Sequence, residues 1–239
     1  MLAVGAYEKC RRYIEKQSSD SEQQERILFR KNPNPCITIS RQAGAGAIVV
    51  GEILANMMNN NKNFSDEWTY FDRNLIEKVI KDHNLPALIR SYMVEDKYKN
   101  ISHIISDFLG LNISQWTIVH HTTETILQLA RMGNTIIVGR GGSAIASKLH
   151  NAFHVRLIAP ENARIKHAME LHNLTEKEAV VYVKKEDQMR KDYYWSFFHQ
   201  NIDDPTLYHL IINTAKMGYE GSAKLIENAV VQKFAPVLS

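Results

Sequence analysis

The chain has 239 residues, 44% of them hydrophobic, and a formal net charge of +3. That is enough for one large domain, or a domain with insertions, around a full core, and too little charge to suggest nucleic-acid binding. Cys10 and Cys36 are too few for a disulfide framework, and no apolar run approaches the ~18 residues of a membrane span. Met1–Tyr7 has neither the basic start nor the apolar stretch of a secretory leader. The expected setting is therefore a reducing, cytoplasmic one, with no membrane and no nucleic-acid partner. Asn100-Ile101-Ser102 and Asn112-Ile113-Ser114 then match the glycosylation pattern by chance.

Residues 1–34 are polar and charged, end at Pro33 and Pro35, and read as an extension outside the core fold. The domain proper spans 35–239. Cys36–Ser40 reads as a first strand. From Ala47 the residues Val50, Ile53, Leu54, Met57 and Met58 recur at helical spacing until Asn59-Asn60-Asn61. Trp68–Phe71 is a short strand ending in Asp72, Asn74–Asp82 a helix, and 84–114 an irregularly helical insertion. Gln115–Met132 is a helix closed by Gly133. Thr135–Val138 is a strand ending in Gly139-Arg140-Gly141-Gly142, and Phe153–Ala159 another, stopped by Pro160. Glu161–Leu171 reads as a helix. Thr175-Glu176-Lys177-Glu178 is a capping box opening a long helix to about Phe198. The last strand is Tyr208–Thr214 and the last helix Glu220–Lys233.

Strands that read as unbroken apolar runs, separated by helices, predict one parallel sheet covered on both faces. Ligands on such sheets bind beyond the carboxyl ends of the strands. Arg41–Ala47, Asp72-Arg73, Gly139–Gly142 and Asn213-Thr214 all follow strands, so they should meet along one edge. The first of these has the layout of a phosphate-binding loop: a β-branched run, a turn with Gly44, Ala45 and Gly46, then a helix. In G-x-x-x-x-G-K-[ST] a lysine and a hydroxyl follow the last glycine. Here Ala47 and Ile48 stand in their places.

Several of these residues have both a structural and a chemical reading. Arg41 is the cation nearest the loop in sequence, or a structural arginine paired with a carboxylate. Asp72 could orient a phosphoryl acceptor or Mg²⁺, or cap a helix. Arg140, between glycines, has the fork that suits a phosphate, or it braces its loop through an ion pair. His120 and His121 are adjacent on a helix, point apart and have no accompanying ligand set, so they read as surface residues. Tyr193, Tyr194, Trp195, Phe197 and Phe198 read as lid packing or an oligomer contact before a base-stacking platform.

Taken together, the motifs resemble the cytidylate kinase-like family, a branch of the nucleoside monophosphate kinases. The residues carrying the likeness are Ile37–Gln42 with Gly44 and Gly46, Tyr70–Arg73, Ile137–Gly141, Val155–Pro160 with Arg164, Asp187, Arg190 and Tyr193-Tyr194, and Tyr208–Thr214. The resemblance implies a P-loop kinase core: a five-stranded parallel sheet, a helical insertion and a small lid at about 172–205. It implies ATP as phosphoryl donor over Gly44–Ile48, with Mg²⁺ bridging its phosphates. Asp72, Arg73, Gly139 and Arg140 would hold the acceptor. Arg41, Arg164 and Arg190 would act on the transferring group, with Asp187 positioning one of the arginines. The family's loop typically has a third glycine and a nearby basic residue where this chain has Ala47 and Ile48, and its usual Tyr-Asp-Leu reads Tyr208-His209-Leu210. Two functions follow: a kinase for CMP, dCMP or a related acceptor, and a catalytically weak or inactive nucleotide-binding protein with a regulatory role.

Overall fold

The computed structural model describes residues 34–72, Ser65 excepted, and 113–234, with side chains of the last stretch from Thr122 onward. The bulk of the N-terminal extension, Arg73, the helix read at Asn74–Asp82 and nearly all of the insertion lie outside the described residues.

Five strands form one sheet in the order β2-β3-β1-β4-β5, where β1 is Cys36–Arg41, β2 Thr69–Phe71, β3 Thr135–Val138, β4 Ala152–Ile158 and β5 Leu210–Asn213. Every pairing is parallel; Cys36 aligns with Thr135 on one side of β1 and with Ala152 on the other. β1 is central, and Cys36–Ser40 are all buried. That explains its unbroken β-branched run, since helices cover both faces.

On one face α1 (Ala47–Asn59) packs with the C-terminal helix Tyr219–Phe234; Val50, Leu54 and Met58 meet Ile226 and Val230 over Ile37, Ile39, Val155 and Leu157. On the other, Ile126, Leu129 and Met132 of α2 (Ile113–Met132) pack over Phe71 and Ile137. A four-residue helix, α3 (Gly142–Ile145), follows β3 where the sequence suggested only a loop. Gly133, at φ 74°, closes α2.

α4 (Glu161–His172) is followed by α5 (Glu176–Phe198), which lies within the 172–205 stretch expected to form a lid. The capping box is formed: Thr175 Oγ1 accepts from Glu178 N, and Glu178 Oε2 accepts from Thr175 N at 2.8 Å. Ala168 of α4 and Ala179 and Val183 of α5 form a small cluster with Ala43 of the β1–α1 loop, so these helices and the loop share a core. β5 is shorter than its apolar run. A 3-10 turn, Pro205–Leu207, capped by Asp204, leads into it, and α6 (Thr214–Met217) begins directly after Asn213. The final helix, α7, is Tyr219–Phe234. Among the described residues no helix is long and apolar enough to cross a membrane.

Candidate active site

Two features meet at the carboxyl edge of the sheet. The first is the loop between β1 and α1. Gly44 and Gly46 have φ of 75° and 74°. A Cβ on Gly44 would stand 2.3 Å from the Arg164 carbonyl oxygen, and one on Gly46 would stand 2.2 Å from the Tyr219 ring. Both positions therefore need glycine for conformation and for space. The turn is braced from outside: Gln42 N donates to Leu157 O at 3.0 Å, Gln42 Oε1 accepts from Ala159 N at 3.1 Å, and Thr214 Oγ1 donates to Ala45 O at 3.1 Å. Gly46 offers α1 no capping side chain and the first turn has no acidic residue, the condition in which a helix start can accept an anion. Ala45 and Ala47 are buried, while Ile48 is 46% exposed.

One amide of the loop is engaged by a carboxylate of the chain itself. Ala43 N donates to Asp187 Oδ1 at 2.6 Å, and the other oxygen, Oδ2, accepts from Arg164 Nη1 at 2.6 Å. Arg164 also donates to Ala43 O at 3.2 Å and, through Nε, to Ala159 O at 3.0 Å. It is buried on α4, facing backbone carbonyls of the loop and the end of β4 rather than the neighbouring cavity.

The second feature is that cavity, of about 200 Å³, lined among others by Arg41, Arg140, Ser143, Arg190, Tyr193 and Tyr194. Arg140 sits in a turn where Gly139, Arg140 and Gly141 have φ of 85°, 51° and 73°. Of these three residues only Arg140 is not a glycine, so its positive φ is the strained feature, of the kind found at ligand clamps. Arg41 turns away from the phosphate loop. Its guanidinium lies against Gly139, where a Cβ would stand 2.1 Å from Nη1. Burial first, and then the neighbouring Arg190 guanidinium, bring its pKa down to about 10. Arg190 is held by carboxylates of its own helix, Glu186 at 2.9 Å and Asp187 at 3.5 Å. Burial raises the Tyr193 hydroxyl pKa, with Arg140 opposing, and Tyr194 Oη shares a 2.5 Å hydrogen bond with Ser143 Oγ. The cavity thus gathers three guanidiniums, and the Arg190 charge adds to burial in lowering the Arg41 pKa.

The structure brings Arg41, Gly139, Arg140 and Arg190 to the cavity, and Arg164, Asp187 and Gly44–Ile48 to the loop. Asp72 follows β2 outside the cavity lining, where its charge helps burial raise the Tyr70 pKa. His120 and His121 lie on α2, their side chains outside the description. Among the described residues no three His, Cys, Asp or Glu side chains are grouped to hold a metal.

One network escaped the sequence reading of the site. Arg156, in the middle of β4 and 5% exposed, donates to Ser40 Oγ at 2.8 Å and to Asp203 Oδ1 at 2.5 Å. Asp203 also pairs with Lys191 of the lid at 2.9 Å, and Tyr208 Oη donates to Ser40 Oγ at 3.2 Å. The available signal was an arginine between Val155 and Leu157 in a buried strand, a position where a charge must be paired.

The cytidylate kinase-like family matches residues 36–216, from the first strand through the short helix after the last. The chain belongs to that family. Its sheet order, with the glycine turn after the central strand, is the P-loop kinase fold. A cytidylate kinase from Methanococcus aeolicus is 24% identical over 161 residues, which are 66% of this chain and 90% of that protein. A uronate isomerase from Corynebacterium glutamicum is 28% identical over 112 residues, 47% of this chain; the chain spans only 21% of that protein's length. The crystal structure of an uncharacterized protein from Eubacterium ventriosum superposes with a TM-score of 0.64 at 22% identity, covering 83% of this chain and 99% of that one, a likeness of fold.

Proposed function

We propose that this family member is an ATP-dependent nucleoside monophosphate kinase acting on CMP, dCMP or a related acceptor. The observation that supports this most is the adjacency of the two features. The glycine turn offers backbone amides to a donor's phosphates, and the arginine cavity beside it fits an acceptor's phosphate. α5 spans the gap, with Asp187 at the loop and Arg190 on the cavity. Phosphoryl transfer asks a protein mainly for positioning and for cations around the transferring group. In this reading Arg41 and Arg140 hold the acceptor phosphate, with Gly139 making room for Arg41, and Arg190 closes from the lid. Asp72 and Arg73 belong to the acceptor side on the family likeness alone. A cytoplasmic setting, rich in nucleoside triphosphates, suits the reaction.

The residues present do not fit a resident metal. Ile48 replaces the hydroxyl that other P-loops offer Mg²⁺, so the ion arrives as part of the Mg²⁺–ATP substrate, kept by phosphates and water.

The test is phosphoryl transfer to CMP, dCMP, UMP, AMP and GMP with Mg²⁺–ATP, at turnover of order 1–100 s⁻¹. Absence of transfer to every acceptor overturns the reading. Ala47 and Ile48 specifically favour a second one, a nucleotide-binding protein of little or no activity. Binding of ATP without turnover, seen as a rise in melting temperature, selects it.

A further inference from the structure

We infer that Asp187 is an internal stand-in for the donor's terminal phosphate, and that the donor must displace it from the loop. The inference rests on the kinase reading of the site. Three observations carry it. The Asp187 carboxylate accepts from the Ala43 amide at 2.6 Å, a backbone donor of the loop itself. Its second oxygen accepts from Arg164 Nη1 at 2.6 Å, so the carboxylate is clamped as an oxyanion would be, by a loop amide and a guanidinium. Asp187 also lies 3.5 Å from Arg190 Nη1, which puts a second arginine within reach of the same point.

A single N–H has one hydrogen to give. A phosphate oxygen that takes the Ala43 amide removes the carboxylate from it, and two anions placed side by side repel. Exchange of the carboxylate for phosphate leaves the local charge supported. Arg164 gives up one anion and meets another, and Arg190 loses its weaker partner while Glu186 holds it at 2.9 Å. The loop lacks a lysine of its own, so it borrows its cations from α4 and α5, and Asp187 keeps them gathered there until a donor comes. Asp187 is thus a positioning residue whose removal should tighten, not weaken, the binding of polyphosphates.

The experiment is calorimetric titration of the parent and Asp187→Asn with ATP, inorganic tripolyphosphate and adenosine. Asp187→Asn is expected to bind ATP and tripolyphosphate about tenfold more tightly than the parent, with adenosine unchanged. A variant that melts as the parent does and binds both polyphosphates equally or more weakly overturns the inference. A carbon-13 label on the aspartate carboxyls gives a second measurement on the parent that needs no variant. The Asp187 carboxyl resonance must move when tripolyphosphate is added; a resonance that stays in place, whether or not loop amides shift, overturns it. Failure of the kinase reading shows separately: tightened tripolyphosphate binding without turnover keeps the stand-in and discards the kinase, whereas turnover with unchanged affinity does the reverse.

Discussion

The phosphate loop and the arginine cavity are neighbours built on opposite principles. The loop is almost all backbone: two glycines with positive φ, three buried alanines, and a carboxylate from the lid on one amide. The cavity is side chains: Arg41, Arg140 and Arg190 converge on a small space, one of them on a strained turn. Backbone amides supply partial charges that survive substitution of almost any side chain, whereas guanidiniums supply full charges and are lost with a single change. This kinase-like chain therefore keeps a glycine turn with little charge of its own and concentrates its guanidiniums in the neighbouring cavity and on α4 and α5.

The sharpest way to break that contrast is Gly139→Ala. The new methyl requires a left-handed alanine, at about 1–2 kcal/mol, and collides with the Arg41 guanidinium that now fills the space. Acceptor affinity should fall further than in any single-arginine variant, with a lowered melting temperature, while ATP affinity moves little. If ATP binding is lost first, loop and cavity are not the separate devices described above.

Next come the arginines singly. Arg140→Ala and Arg190→Ala should each cost tenfold or more in acceptor affinity or kcat/KM, in line with about 1.5–3 kcal/mol for a charge-assisted hydrogen bond. Arg41→Ala should do the same to the acceptor and spare ATP, because its side chain is against Gly139. The sequence left two readings of Arg41, the cation nearest the loop or a structural arginine paired with a carboxylate. Separate titrations with CMP and ATP decide which.

A third prediction concerns the floor beneath both features. His154 on β4 is hydrogen-bonded through Nδ1 to Thr38 Oγ1 of β1 at 2.8 Å, and burial, then His209 and Lys233, lower its pKa from 6.5 to about 4. Its folded pKa lies below the unfolded one, so its contribution is whole above pH 6.5 and is lost as pH falls from there toward 4. Within that window each pH unit removes about 1.4 kcal/mol. Urea melts at stepped pH should show the parent losing stability faster than His154→Gln; parallel slopes would rule out the assignment.

The smallest effect belongs to the lid alone. Thr175→Ala removes the capping box of α5 and should cost about 0.5–2 kcal/mol of stability. The melting temperature should drop by a few degrees, while the acceptor affinity of the folded protein is kept. A proportionate loss of affinity would mean that the helix start, and not the arginine positions, sets the cavity.

How much of this was readable in one dimension follows from the range of each interaction. Strand and helix identities depend on side chains two to four residues apart, so the run Cys36–Ser40, the spacing of Val50, Leu54 and Met58, and the box Thr175–Glu178 announced their elements in the sequence. The two loop glycines were legible for the same reason, because a left-handed turn is a local demand. The gathering of Arg41 and Arg140 at one edge was foreseeable from strand order, since residues that follow parallel strands share an end; Arg190, within α5, was expected there only from the family resemblance. What each of those side chains meets was not. That Arg41 leans on Gly139, that Arg164 faces the loop's carbonyls, that Arg156 reaches Ser40 and Asp203, and that Asp187 takes the Ala43 amide all join residues 23 to 144 positions apart, or neighbours across the sheet. Charged side chains are long and can satisfy themselves with several partners of similar chemistry. Only the packed fold, by fixing which carboxylate and which carbonyl stand within 3 Å, decides among them.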